Sequence, residues 1–276
     1  MGHHDGVSSN PDPPGRDLPD ALIVAGGDAV DASELTPPLE RLGWSVTGLD
    51  RVPLIAADSG ADLALDLGLV PDVVIGDMDS ISPLSLTALD EKGVPLIRHP
   101  RDKDRTDLEL ALDETASRLG VASRAVTPTT VAGTASAHTV LVLGAGGGRL
   151  DHLLGNLAVL GAARYHRLGP VIVTPDAIVI PVGPGTGTRP LPARPGDTVT
   201  LLALGGPAEG VTTSGLRYPL LHGELAADSS LGLSNVVGPA GPTQAPPSVS
   251  VARGTVLVII PLSEGTRPPR SPREAR

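Results

Sequence analysis

The chain contains neither cysteine nor phenylalanine, and Trp44, Tyr165 and Tyr218 are its only aromatic residues. The absence of cysteine excludes disulfides and thiolate metal sites, which fits a reducing compartment. Because aromatic side chains are so few, the core of this 276-residue chain must be built from Val, Leu, Ile and Ala. The length allows one large domain or two ordinary ones.

Positive charge and long apolar runs are also scarce. A formal net charge of -10 without a basic cluster argues against a nucleic-acid partner or an anionic membrane surface. No apolar run approaches the roughly 18 to 20 residues that a membrane span requires. Residues 1–20 lack the basic and apolar regions of a signal peptide. We therefore expect a soluble cytoplasmic protein that binds neither nucleic acid nor membrane.

Proline, glycine and polar residues mark the segments outside the expected domains. They predict disordered tails over residues 1–19 and 265–276. They also predict surface insertions at 121–138 and 238–248. The hydrophobic pattern of the remaining chain changes near residue 180. This change predicts an α/β domain over 20–180 and an all-β domain over 181–264.

Short apolar runs alternate with amphipathic stretches in the first domain. Strands that are apolar throughout, separated by such helices, predict a mainly parallel sheet covered on both faces. The predicted strands are 21–25, 53–57, 72–75, 94–97, 139–143 and 171–174. The predicted helices lie near 60–67, 83–92, 105–119 and 150–167. Thr106 and Glu109 are expected to form a capping box for the third helix, and Gly120 to end it.

The second domain contains short β-prone runs punctuated by glycine and proline. These runs are VTLLAL, VTTSGL, SVSVA and TVLVII. They predict an all-β sandwich. The expected fold class is thus an N-terminal, mainly parallel α/β sandwich domain followed by a C-terminal β-sandwich domain.

Aspartates concentrate in two clusters that follow predicted strands. They are Asp77 and Asp79 in GDMDS, and Asp102, Asp104 and Asp107 in DKDRTD. The second cluster encloses Lys103, one of two lysines in the chain, and Asp58 follows another strand. Ligands of open α/β sheets bind beyond the carboxyl ends of the strands, where these carboxylates would meet a divalent metal carrying phosphates. The alternative is that they are ordinary turn and cap residues.

The segment LGAGGGRLDHLLGN, residues 143–156, predicts a phosphate cradle between a strand and a helix. It is not a dinucleotide fingerprint, because Arg149 stands where the third glycine would fall. The chain has no P-loop motif. Arg149 is better explained as a phosphate clamp, followed by Asp151.

The segments ADSGA, GDMDS, DKDRTDLELAL and GAGGGRLDH, in this order, resemble the thiamine pyrophosphokinase family. SGLRYPL and GLSN resemble the thiamine-binding region of that family, so the likeness covers most of residues 20–262. The resemblance implies transfer of a diphosphoryl group from ATP to the hydroxyl of thiamine, giving thiamine diphosphate and AMP. It also implies a homodimer with each active site between the α/β domain of one subunit and the β-sandwich of the other.

The resemblance also implies roles for the matched positions. Mg²⁺ would be held by Asp58, Asp77, Asp79 and Asp107. ATP would be bound by Asp58, Lys103, Asp104, Thr106, Gly146, Gly147 and Arg149. The catalytic set would be Asp77, Asp79, Asp107, Arg149 and Asp151, with no general base assigned. Thiamine would contact Tyr218, Ser234 and Asn235.

Three positions depart mildly from the family pattern: Ser59, Met78 and Tyr218. Two other functions remain open at this point. A related diphosphokinase would act on another hydroxymethyl heterocycle, such as a pterin, and would lack the residues that bind thiamine. A thiamine or nucleotide sensor without turnover would show a broken metal cluster, whereas the cluster in this chain is complete.

Overall fold

The structure, a computed structural model, describes residues 18–121, 138–147, 149–239, 241 and 245–262. Strands of the first part are β1 (Ala21–Val24), β2 (Leu54–Ala57), β3 (Val73–Gly76), β4 (Leu96–Arg98), β5 (Val140–Leu143) and β6 (Pro170–Thr174). Helices are α1 (Ala32–Leu42), α2 (Gly60–Asp66), α3 (Pro83–Glu91), α4 (Asp107–Arg118) and α5 (Leu150–Leu160). Two 3-10 helices span Val46–Arg51 and Ala163–Leu168.

The first six strands pair in parallel in the order β4-β3-β2-β1-β5-β6. Successive residues of β1 point to opposite faces, so Leu22 and Val24 join one hydrophobic core while Ala21 and Ile23 join the other. Helices cover both faces, which explains why these strands carry almost no polar residue. The expected fold class is confirmed.

The sheet continues into a β-rich part without a break. Its strands are β7 (Ala177–Val182), β8 (Arg189–Pro190), β9 (Thr198–Ser214), β10 (Gly223–Leu225), β11 (Asn235–Val236), β12 (Ser248–Ser250) and β13 (Arg253–Pro261). The antiparallel order β6-β7-β13-β9 extends the parallel sheet. The predicted boundary between residues 180 and 181 falls inside β7, and the division into two domains stays a prediction.

One long strand replaces two predicted ones. The runs VTLLAL and VTTSGL were expected as separate strands, but β9 is continuous over Thr198–Ser214. Gly205 and Gly206 lie within it at φ 71° and 157°. These backbone angles allow the strand to bend rather than end, so that it pairs with β13 along its first half and with β12 at its end.

The helices differ from the prediction in two places. The helix expected over 150–167 ends at Leu160, and a 3-10 helix follows after Gly161. Helix α1 was not predicted, because Pro37 and Pro38 lie inside it and such residues normally interrupt a helix. None of the helices in the described part of the chain is long and apolar enough to cross a bilayer.

Only one of the two hydrogen bonds of the capping box predicted for α4 is present. The Thr106 hydroxyl accepts a hydrogen bond from the N–H of Glu109 at 3.2 Å. The Glu109 carboxylate does not return to the cap but accepts from Arg164 Nη2 at 2.7 Å. Gly120 follows the helix at φ 66°, as expected of a residue that ends it.

Several predicted irregular segments fall outside the described residues. These include residues 1–17 and 265–276 of the predicted tails and 122–137 of the first predicted insertion. Part of the second, 238–248, is described. There the carbonyl of Pro247 accepts from the N–H of Leu191 at 2.9 Å, and β12 begins at Ser248.

Candidate active site

A cleft of about 920 Å³ opens at the carboxyl ends of the parallel strands. The residues that follow β1, β2, β3 and β5 line it, together with the start of α4 and one side of α5. This is the edge at which open α/β sheets bind ligands. Most of the predicted catalytic and nucleotide-binding residues lie here.

Three carboxylates converge on one side of the cleft. Asp58 follows β2, and Asp77 and Asp79 follow β3. Each offers an oxygen, and these oxygens all lie within 4.8 Å of one another. Turn and cap roles alone do not require such convergence, which argues for a common ligand.

The backbone at this corner is held in unusual conformations. Asp58 and Met78 have φ of 45° and 66°, in the left-handed region that non-glycine residues rarely adopt. Gly76 cannot carry a side chain, because a Cβ there would lie 2.9 Å from Cβ of Asp58. The backbone is therefore locally strained where the ends of β2 and β3 come together.

The electrostatics of the three carboxylates differ. Burial raises the pKa of Asp58, and the charges of Asp107 and Asp77 raise it further. The pKa of Asp77 is lowered, chiefly because the N–H of Asp79 donates to its Oδ1 at 3.3 Å. Asp79 also faces a cation, with its Oδ2 3.3 Å from Nη1 of Arg101. The buried Asp58 is thus the carboxylate that most needs a compensating positive charge.

The group fits a divalent cation. Asp58 Oδ1 is buried and has no hydrogen-bond partner in the described part of the chain. An all-oxygen set of carboxylates is the donor type that Mg²⁺ prefers. Asp58, Asp77 and Asp79 are therefore the residues that would hold the ion.

Asp107, the fourth predicted metal ligand, lies beside this group but outside it. Its Oδ1 is 3.1 Å from Nζ of Lys103, and both side chains are half-buried. Asp107 and Thr106 line the cleft. Lys103 and Asp104 are not among the residues that line it, and Asp104 is exposed.

The opposite wall of the cleft is made by two glycine loops in close contact. A Cβ on Gly27, after β1, would collide with the carbonyls of Gly144 and Gly146, after β5. Glycine is required here because the two backbones touch. Gly146 and Gly147 line the cleft, and their contact with ATP stays a prediction, whereas Gly148 is outside the described residues.

Asp28 is a lining residue that the sequence analysis did not identify. Its N–H donates to the carbonyl of Gly146 at 3.4 Å, and its carboxylate leaves no room for a side chain on Gly147. The sequence signal was present in GGD, which directly follows the apolar run of β1. Asn156 was also missed, and its Nδ2 donates to the carbonyl of Ala145 at 3.0 Å.

Arg149 lies at the rim, at the start of α5, and both it and Asp151 are exposed. Its Nε and Nη2 donate to the two carboxylate oxygens of Asp151 at 3.1 and 2.5 Å. This pairing lowers the pKa of Asp151 to about 2. Because water screens such an exposed pair, a phosphate group can replace Asp151 at the guanidinium at little cost.

Comparison with known proteins identifies the family of the chain. Residues 51–172 match the family described as thiamin pyrophosphokinase, catalytic domain. Residues 189–244 match the family described as thiamin pyrophosphokinase, vitamin B1 binding domain. The chain belongs to the thiamine pyrophosphokinase family.

Named relatives support the assignment over most of the length. Thiamine pyrophosphokinase 1 of Oryza sativa subsp. japonica is 27% identical over 250 residues, covering 84% of this chain and 86% of the relative. Thiamine pyrophosphokinase 1 of Arabidopsis thaliana is 31% identical over 191 residues, covering 68% and 66%. The crystal structure of thiamine pyrophosphokinase from Bacillus subtilis shares the fold, with a TM-score of 0.64, 22% identity and coverage of 88% and 99%.

The residues predicted to bind thiamine lie in the β-rich part. None of Tyr218, Ser234 and Asn235 lines the cleft of the same chain. The Tyr218 ring is exposed, with the guanidinium carbon of Arg217 5.7 Å from its centroid. Ser234 adopts φ 54°, and its N–H donates to the Thr200 hydroxyl at 3.1 Å. Their contact with thiamine stays a prediction.

Proposed function

We propose that this chain transfers the diphosphoryl group of ATP to the hydroxyl of thiamine, giving thiamine diphosphate and AMP. The observation that carries the proposal is the convergence of Asp58, Asp77 and Asp79 in a cleft whose other wall is a glycine-rich loop. The acidic side suits a metal ion, and the glycine side suits phosphates. A nucleoside triphosphate with its bound cation needs both the carboxylates and the glycine-rich loop.

Mg²⁺ is the cation that the three carboxylates suit best, and the charge of Asp107 adds to the negative charge around Asp58. When bound, it would neutralise the charge on the transferred phosphates. The contribution of the protein's own residues is to position the phosphates. Gly146 and Gly147 have no side chains of their own, so their backbone amides would be open to the phosphates, with the Asp28 carboxylate beside Gly147.

In the reaction the thiamine hydroxyl oxygen attacks the β-phosphorus, and the bond from that phosphorus to the α,β-bridging oxygen breaks. AMP leaves with that oxygen, and the hydroxyl proton passes to solvent or to a carboxylate of the cleft. Arg149 exchanges Asp151 for the phosphate oxygens and stabilises the charge that they gain in transfer. Most of the rate enhancement then comes from alignment and charge stabilisation.

The proposal includes a homodimer, because the predicted thiamine-binding residues are not among those that line the cleft. Tyr218, Ser234 and Asn235 do not line the cleft of their own chain, and in a homodimer a second copy would bring them to it. Exposed leucines on both surfaces fit such an interface: Leu150 and Leu154 on α5, and Leu221, Leu231 and Leu233 in the β-rich part. We further propose a cytoplasmic enzyme without nucleic-acid or membrane partners.

The activity is tested by incubating the protein with ATP, Mg²⁺ and thiamine and measuring AMP and thiamine diphosphate. Equal amounts of both products, abolished by EDTA, are expected. A hydroxymethyl pterin serves as the competing acceptor. Turnover of the pterin but not of thiamine would overturn the proposal in favour of another diphosphokinase, and binding without any product would overturn it in favour of a sensor.

The shared site is tested by mixing Asp77→Asn chains with Tyr218→Ala chains after dissociation and reassociation. The assay uses thiamine well below KM, where the Tyr218→Ala chains are weakened, and each heterodimer would contain one site with both native residues. The reassociated equal mixture should therefore exceed the mean activity of the two separate variants. If each chain holds a complete site, the mixture gives only that mean. Sedimentation of the native protein gives the oligomeric state independently.

A further inference from the structure

A second cavity, of about 390 Å³, lies apart from the cleft, beside the carboxyl end of α1. Apolar side chains form much of its wall: Leu42, Trp44, Val171, Ile180 and Leu191. One charged residue, Arg189 of β8, lines the same space. A cavity with apolar walls and a single charged group has the composition of a small-molecule site.

This cavity and the active-site cleft lie toward opposite ends of the parallel strands. Thr139 directly precedes β5 and lines the cavity, whereas Gly144 directly follows β5 and lines the cleft. The four residues of β5 lie between Thr139 and Gly144, which places these two residues roughly 16 Å apart. A ligand held in this cavity would therefore leave the phosphate-binding loops free.

Arg189 lacks a carboxylate partner in the described part of the chain, since no ion pair there includes it. Its Nη2 donates to the carbonyl of Gly169 at 3.5 Å, a long and weak hydrogen bond. Burial lowers the pKa of Arg189, yet arginine keeps its proton in proteins at neutral pH. The cavity thus contains a positive charge with little compensation.

A partly buried guanidinium without an anion is costly, and its planar edge matches the two oxygens of a carboxylate. The apolar walls favour a hydrocarbon chain over a free inorganic ion. We propose that this cavity binds a small organic anion, with a carboxylate on Arg189 and an aliphatic body against Trp44 and Leu42. The inference does not depend on the proposed transfer activity.

Trp44 makes the proposal directly testable, because it is the only tryptophan in the chain and lines the cavity. The probe is hexanoate, and its uncharged control is hexanamide, which has the same carbon skeleton. We expect hexanoate to change the Trp44 emission saturably and to raise the melting temperature. Hexanamide should do neither at the same concentrations.

Two variants separate the guanidinium from general effects. Arg189→Met should weaken hexanoate binding by about tenfold or more, since a charge-assisted pair is lost. Arg194→Met is the matched control, because Arg194 is exposed and does not line the cavity. Arg194→Met should bind hexanoate as the native protein does, and both variants should keep thiamine diphosphate formation.

If Arg189→Met does not fold, Arg189→Lys serves instead, because it keeps the charge and loses the two-donor edge. It should bind hexanoate more weakly than the native protein. Equal responses to hexanoate and hexanamide would overturn the proposal. So would unaltered affinity in the Arg189 variants, or no saturable response of emission and melting temperature in the native protein.

Discussion

The side-chain amide of Asn235 binds the main chain of Tyr218 through both of its polar atoms. Oδ1 accepts from the Tyr218 N–H at 3.1 Å, and Nδ2 donates to the Tyr218 carbonyl at 2.7 Å. Oδ1 also accepts from the N–H of Val236 at 2.9 Å. Asn235 is buried while the Tyr218 ring is exposed. The amide therefore fixes the backbone that presents the ring, whether or not it also contacts thiamine.

Asn235→Ala should lower the free energy of unfolding by about 1 to 3 kcal/mol, because buried main-chain groups lose their partners. It should also raise KM for thiamine more than KM for ATP. Chemical denaturation and steady-state kinetics measure the two effects. Unchanged stability together with unchanged thiamine KM would contradict the assigned contacts.

Tyr218→Ala should raise KM for thiamine by roughly 2- to 30-fold, the loss of a cation–aromatic contact of about 0.5 to 2 kcal/mol. Tyr218→Phe, which keeps the ring, should stay close to the native value. KM for ATP should change in neither variant. If the phenylalanine variant loses as much as the alanine variant, the hydroxyl and not the aromatic face is responsible.

The ion pair of Arg41 with Asp197 joins α1 to the turn before β9, and both side chains are half-buried. Arg41→Met should destabilise the protein by about 1 to 3 kcal/mol, because a half-buried carboxylate loses its cation and keeps the hydrogen bond from the N–H of Arg194. Arg253→Met is the control, since its pair with Glu209 is exposed and should contribute less than about 1 kcal/mol. Similar losses in the two variants would contradict this ranking.

Stability should fall as the pH drops through the range in which free histidine titrates. His166 is buried, with Nε2 3.1 Å from both the Gly161 carbonyl and the Thr255 hydroxyl, and burial lowers its pKa. Below a pH of about 6.5 the unfolded chain binds a proton that the folded chain binds only at lower pH, so acid favours unfolding.

His166→Gln removes this titration. Its melting temperature should therefore fall less than that of the native protein between pH 7.5 and 5.5. The comparison of the two slopes isolates His166 from the carboxylates, which both proteins share. Parallel slopes would show that His166 does not couple folding to pH.

The sequence predicted the parallel sheet and the convergence of its acidic strand ends because both depend on local patterns. Asp58 and Asp77 follow apolar runs, and the topology of parallel strands brings such positions to one edge. Contacts between segments that are distant in the sequence could not be predicted from local patterns. The Arg41–Asp197 ion pair, the pairing of β9 with both β13 and β12, and the contact of Asp28 with the Gly146 loop depend on tertiary packing.

The most direct test of the account is the Mg²⁺-dependent turnover of Asp77→Asn beside that of Asp90→Asn, an exposed control carboxylate on α3 outside the cleft. Thiamine diphosphate and AMP are measured together, with circular dichroism and melting temperature to verify folding. We expect Asp77→Asn to fold normally and to lose about 100-fold or more in turnover, while Asp90→Asn keeps native activity. An Asp77→Asn enzyme with near-native, Mg²⁺-dependent turnover would contradict the role of the acidic group.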